Sequence, residues 1–125
     1  MGLDAYLRVC TPIEATILDN GIITIQLKDV ICESGNYYIF SNIPTLIEWR
    51  ENRALHKAIY DLYCRTVPEC IIPPSSFNVC FHLTEEDIIE LLNIPNLIED
   101  WEYERFRDAI ELIHRGFVVY YISDF

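Results

Sequence analysis

The stretch Pro44 to Arg65, PTLIEWRENRALHKAIYDLYCR, constrains the chain most, because it is the first segment long enough to form a real helix. A proline near the start of a helix is tolerated there. Leu55, Ile59 and Leu62 recur at helical spacing and draw one apolar stripe. Trp49, Asn52, His56 and Tyr60 draw a second, polar-aromatic stripe beside it. A core helix needs the first stripe and not the second, so the second is a place to look for function.

The 125 residues are ordinary for one domain, and one domain over residues 1–125 is the economical reading. Hydrophobic residues make up 51% of the chain, enough to close a single core and too many for a disordered one. No apolar run approaches the roughly 18 residues of a membrane helix, so no membrane partner is expected. The opening MGLDAYLRV carries Asp4 and no basic region, unlike a signal peptide, and Tyr6 stands where a myristoylation signal wants Ser or Thr. A cytoplasmic location is expected. Cys10, Cys32, Cys64, Cys70 and Cys80 are odd in number and read as buried thiols rather than a disulfide framework.

Ile13–Leu18 and Ile22–Leu27 flank Asp19-Asn20-Gly21, which predicts a hairpin. Asp29–Asn36 reads as a turn and Tyr37–Phe40 as a short strand, with Ser41-Asn42 capping the helix of 44–65. Val67–Ser76, with three prolines, reads as an extended crossing loop, and Phe77–Leu83 alternates as a strand. Thr84 opens a second helix, with Asp87 three residues on in the manner of a capping box. A third helix is predicted over about Leu97–Arg115, its apolar stripe running through Ile98, Trp101, Phe106, Ala109, Ile110 and Ile113, with Gly116 as its stop. Phe117–Ile122, FVVYYI, reads as a central strand buried on both faces. The fold class is α+β: a mixed or antiparallel sheet of about four to five strands with about three helices packed on it.

Charge is the strongest global signal. Twenty acids face nine Lys and Arg, for a net charge of −11, a field that repels phosphate backbones and argues against nucleic-acid binding. Between Thr84 and Leu112 ten acids meet only Arg105 and Arg107, leaving that segment at −8. Nine of these, Glu85, Glu86, Glu90, Glu99, Asp100, Glu102, Glu104, Asp108 and Glu111, are the candidate partner-binding residues. The competing reading makes them a solvated helical surface that keeps the protein soluble.

A second candidate site is the helix face of Trp49, Arg50, Arg53 and His56, with Asp4 and Tyr6 closing it. Trp and Arg can stack and fork onto a planar or anionic ligand, and His56 can act as acid, base or donor near neutral pH. The competing reading makes Trp49 and Tyr60 core flanks and His56 a structural donor. Cys64, Cys70, Cys80 and His82 are zinc-ligand types, but C-x5-C-x9-C-x-H lacks a close C-x2–4-C pair, so no metal is assigned. No phosphate loop, nucleophile elbow or other catalytic motif is present, and no cofactor is called for.

The blocks MGLDAYL and WRENRALH, followed by LTEEDIIEL from Leu83 to Leu91, resemble a set of small, mostly uncharacterised proteins of bacteriophages and bacteria. Those open MGLD-x-YL, carry a WRK-x-N-x-[IL]H block, and continue with T-x-x-[DE]-[LI]-x-x-L. The blocks keep their order along the chain. Glu51-Asn52-Arg53 departs from the usual Lys-Ala-Asn. The resemblance implies fold kinship and a phage setting, and no activity. Two functional expectations follow. One is an acidic inhibitor, of anti-CRISPR or other anti-defence type, meeting a host protein with a basic, phosphate-binding surface. The other is a nucleotide or small-molecule binder, or a small enzyme, at the Trp49/Arg50/His56 face. Oligomeric state is left open.

Overall fold

The computed structural model describes residues 2–13, 15–17, 23–27, 30–32, 45–66 and 80–124. Strand β1 is Asp4–Cys10, β2 Ala15–Ile17, β3 Ile23–Leu27, β4 Val30–Cys32 and β5 Thr45–Arg50. Helix α1 (Arg53–Thr66), strand β6 (Phe81–His82), helices α2 (Glu85–Leu92) and α3 (Asp100–His114) and strand β7 (Val118–Asp124) complete the order. Among the described residues this is an α+β arrangement of three helices and two antiparallel sheets.

The larger sheet has the order β5-β1-β7-β6, every neighbour antiparallel. β1 alternates strictly: Ala5, Leu7 and Val9 join the helix-covered core, while Tyr6 and Cys10 join a second cluster on the other face. β7 lies between β1 and β6 and is buried from Val118 to Ser123, as its continuous apolar run predicts. Its Val119 and Tyr121 face the helices, and Val118, Tyr120 and Ile122 face away. All three helices contribute to the first cluster and none to the second. β2, β3 and β4 form a separate three-stranded meander, with Ile17 opposite Ile23. This is the hairpin predicted around Asn20-Gly21, whose turn lies outside the described residues.

Several expected boundaries differ. Thr45–Arg50 is a strand, not the first part of a helix: Ile47 and Trp49 are buried while Thr45, Glu48 and Arg50 are exposed, a period of two. The chain turns at Glu51, which adopts φ 56°, and α1 begins behind Asn52. Asn52 is the cap of α1, its Oδ1 accepting the Leu55 N–H at 3.2 Å. Val30–Cys32, read as part of a turn, is instead paired with β3. The predicted strand Tyr37–Phe40, the Ser41-Asn42 cap, the loop Val67–Ser76 and the start of the strand Phe77–Leu83 lie outside the described residues.

The capping box of α2 forms as expected: Thr84 Oγ1 accepts the Asp87 N–H at 3.2 Å, and Asp87 Oδ2 accepts the Thr84 N–H at 3.0 Å. Gly116 takes φ 94° behind α3, the left-handed stop a glycine supplies. α3 itself starts later than predicted, behind Glu99, and Trp101 is 54% exposed rather than part of its apolar stripe.

Candidate functional site

Helical geometry sorts the nine candidate acids. On α3 the buried face runs through Glu102, Phe106 and Ala109. Asp100, Glu104, Asp108 and Glu111 lie opposite it and form one exposed stripe along the helix. On α2, Ile88 and Leu91 are buried while Glu86 and Glu90 are exposed. Eight of the nine acids therefore stay at the surface or partly exposed, and Glu102 does not.

Glu102 is a core residue. Its Oε2 accepts the Trp49 indole N–H, and its Oε1 accepts the Glu99 N–H at 3.1 Å, closing the first turn of α3. A carboxylate this buried must have its lone pairs met; the indole and the capping amide meet them. Glu102 therefore does not belong to the acidic surface.

Local cations already engage part of the stripe. Arg65 forks onto Glu90, which holds that carboxyl below the usual range. His114 meets Glu85 at 2.7 Å, Arg105 meets Asp108 at 3.2 Å and Arg115 meets Glu111 at 2.7 Å. All are exposed pairs, each worth only about 0–1 kcal/mol, so they can open for another cation at little cost. Glu86, Asp100 and Glu104 make no ion pair among the described residues. Trp101 stands exposed at the edge of the stripe, its indole N–H donating to Glu99 at 2.7 Å.

The second candidate site takes a different form. Trp49 and His56 are buried on the helix-covered face, each with its ring near that of Tyr121. His56 Nδ1 lies 2.7 Å from the Tyr121 hydroxyl, whose proton is held well above the ordinary tyrosine range by burial, opposed by a hydrogen bond with Ser123. The Trp49 ring lies 6.0 Å from Phe106 and 6.2 Å from Tyr121, centre to centre. Arg50 is exposed, one residue along the strand and hence on the opposite face from Trp49. Asp4 and Tyr6 accompany it there, since Asp4 is opposite Arg50 and Tyr6 opposite Glu48. Arg53 reaches Glu51 at 3.0 Å. The six residues thus do not meet on a single helix surface: Trp49 and His56 lie on the helix-covered side, Asp4, Tyr6 and Arg50 on the other face of the sheet, and Arg53 is exposed on α1.

The same geometry accounts for the WRENRALH block as a joint between strand and helix. Glu51 Oε1 accepts the Leu3 N–H at 2.6 Å, while the Glu51 N–H donates to the Leu3 carbonyl at 2.7 Å. The Leu3 bond is the main cause holding the Glu51 carboxyl below its ordinary value. This tie couples the MGLDAYL block to the WRENRALH block, which sequence spacing could not reveal.

Beside α1, a groove of about 440 Å³ opens toward the loop after α2, floored by Ala54, Ala58 and Leu97. Its charged rim is Lys57–Asp61 and Arg65–Glu90, paired with each other. Cys80 is buried against the outer face of the sheet, Cys64 is half-buried beside the helix-covered core, and Cys70 lies outside the described residues. Among the described residues no three metal-ligating side chains come together. No helix there is long and apolar enough to cross a membrane. Models of known protein families, curated proteins and solved structures offer no match to the chain.

Proposed function

We propose that this is an interaction protein, whose α2–α3 surface meets a partner through a basic, phosphate-handling face. The observation that carries the reading is the outward stripe Asp100, Glu104, Asp108 and Glu111 on α3, together with the exposed Glu86 and Glu90 of the neighbouring α2. It concentrates much of the net charge of −11 on adjoining helices. Acids at this spacing present carboxylates about one helical turn apart, roughly 5–6 Å. That is a comb of negative charge suited to a surface that otherwise holds phosphates. Exposed Trp101 adds an aromatic anchor at the rim, the residue type that concentrates binding energy in interfaces. An inhibitor of a host defence nuclease or CRISPR complex, acting in the host cytoplasm, is the biological form of this proposal, and its phage setting rests on the sequence blocks alone.

The test is capture of partners from host lysate at low and at high salt, with a variant carrying Glu86→Lys, Asp100→Lys, Glu104→Lys and Asp108→Lys. The wild type should retain a specific partner at low salt and lose it at high salt, and the variant should lose it at both. Equal capture by wild type and variant, with the same salt dependence, would refute the proposal.

A further inference from the structure

The sheet face turned away from the helices carries one arginine in an unusual position. The strand register places Arg8, Tyr120 and His82 in a single cross-strand row, with Tyr6 two residues before Arg8 on the same face. Arg8 is only 4% exposed. A guanidinium keeps its charge at any pH a protein meets, so once buried it needs acceptors in its plane. Arg8 Cζ sits 4.4 Å from the centre of the Tyr6 ring, an arrangement that covers the π face and accepts none of the in-plane N–H groups. Arg8 Nε is fully buried and makes no hydrogen bond.

No carboxylate among the described residues lies within ion-pair distance of Arg8. Glu48, which faces Tyr6 across the ladder, pairs with Arg50 at 3.7 Å instead. An acidic chain thus keeps a buried cation with an open donor and none of these acids on it. We propose that the outer face of the sheet binds a small oxyanion on the side-on fork of Arg8, made by Nε–H and the neighbouring Nη–H. Two coplanar oxygens match that fork, and bidentate contact to a guanidinium is among the stronger charge-assisted bonds. Tyr6 fixes the plane of the fork from behind. His82, at the far end of the row, is held below its ordinary pKa by burial, against the opposing influence of the Asp87 carboxylate. One full positive charge calls for one negative charge, which favours a carboxylate over a phosphate dianion.

The experiment is a titration of the ¹⁵N-labelled full chain with sodium acetate and with sodium phosphate, against sodium chloride at matched ionic strength. The Arg8 Nε–H signal, assigned by its disappearance in Arg8→Lys, and the Tm are followed together. The expected result is a saturable movement of that signal with a parallel rise in Tm, in acetate first. Saturation in phosphate alone would assign the site to phosphate groups. Arg8→Lys, which keeps the charge and loses the fork, should weaken the response by about tenfold or more. The proposal is overturned if both readouts follow acetate and phosphate no more than chloride, or if the Tm response persists unchanged in Arg8→Lys. The titration of the wild type decides the matter even where a substitution at Arg8 impairs folding.

Discussion

Trp49 and Glu102 show how one residue can be misplaced by its chemistry. Counted by type, Glu102 belongs with its acidic neighbours on α3; placed by the helix, it points at the same core as Phe106 and Ala109. The indole N–H of Trp49 makes that burial tolerable, and neither side chain is well placed without the other. Trp49→Phe keeps an aromatic ring and removes the donor, leaving a buried carboxylate oxygen short of a partner, at a cost of about 1.5–3 kcal/mol. Glu102→Gln offers one acceptor oxygen to two donors, so its NH2 faces either the indole N–H or the Glu99 N–H, and it too should be destabilising. Glu102→Met beside Trp49→Phe should be less destabilising than the two single changes summed, by about 1–2 kcal/mol. Urea unfolding of the wild type, the two single variants and the double variant measures this, and strict additivity would mean the contact carries no net energy. The result bears on function too, because a variant of Glu102 tested for partner binding would report on folding instead.

At the level of elements, legibility followed local chemistry. The capping box at Thr84, the glycine stop at 116 and the apolar run of β7 are each decided within a few residues, and each appears where the sequence predicts it. Thr84→Ala removes one side of the box and should destabilise the protein by about 1 kcal/mol, read as a lower midpoint with unchanged denaturant slope. A loss confined to α2 in hydrogen exchange, with the midpoint unmoved, would show that helix to be uncoupled from the core. The segment 44–65 was not decided locally. Residues 53–65 are helical on their own pattern, but TLIEWR reads acceptably in either period, and only pairing with β1 selects the strand. β1 itself was legible in principle, since Leu3, Ala5, Leu7 and Val9 alternate with polar or aromatic residues, yet no turn signal marks its start. The six-residue ligand face depended on treating 49–56 as one helix, and it separates once a turn at Glu51 reverses the chain between Arg50 and Arg53.

Across the whole molecule, a net charge of −11 on 125 residues sets acid against acid, and the described ion pairs are exposed and individually weak. Salt screens both effects with a Debye length of about 10 Å at 0.1 M, and the repulsion among many like charges outweighs the attraction within a few weak pairs. The Tm should therefore rise by a few degrees between about 0.02 and 0.5 M sodium chloride. A fall over that range would mean the surface pairs, Arg65–Glu90 and His114–Glu85 among them, outweigh the repulsion. The same screening would weaken an electrostatically held partner, so stability and binding should respond to salt in opposite directions.

The order of strands in the larger sheet has one more consequence. Its two middle strands are β1 and β7, drawn from opposite ends of the described chain. Contacts of such high sequence separation form slowly, because the loop between them must close before any ladder bond rewards it. On a ribosome β1 emerges early and has no central partner until Val118–Asp124 has cleared the exit tunnel. During that interval the apolar side of β1 and the aromatic side of α1 wait without the strand that Trp49, His56 and Phe81 pack around. The larger sheet therefore closes only once its latest strand has been made.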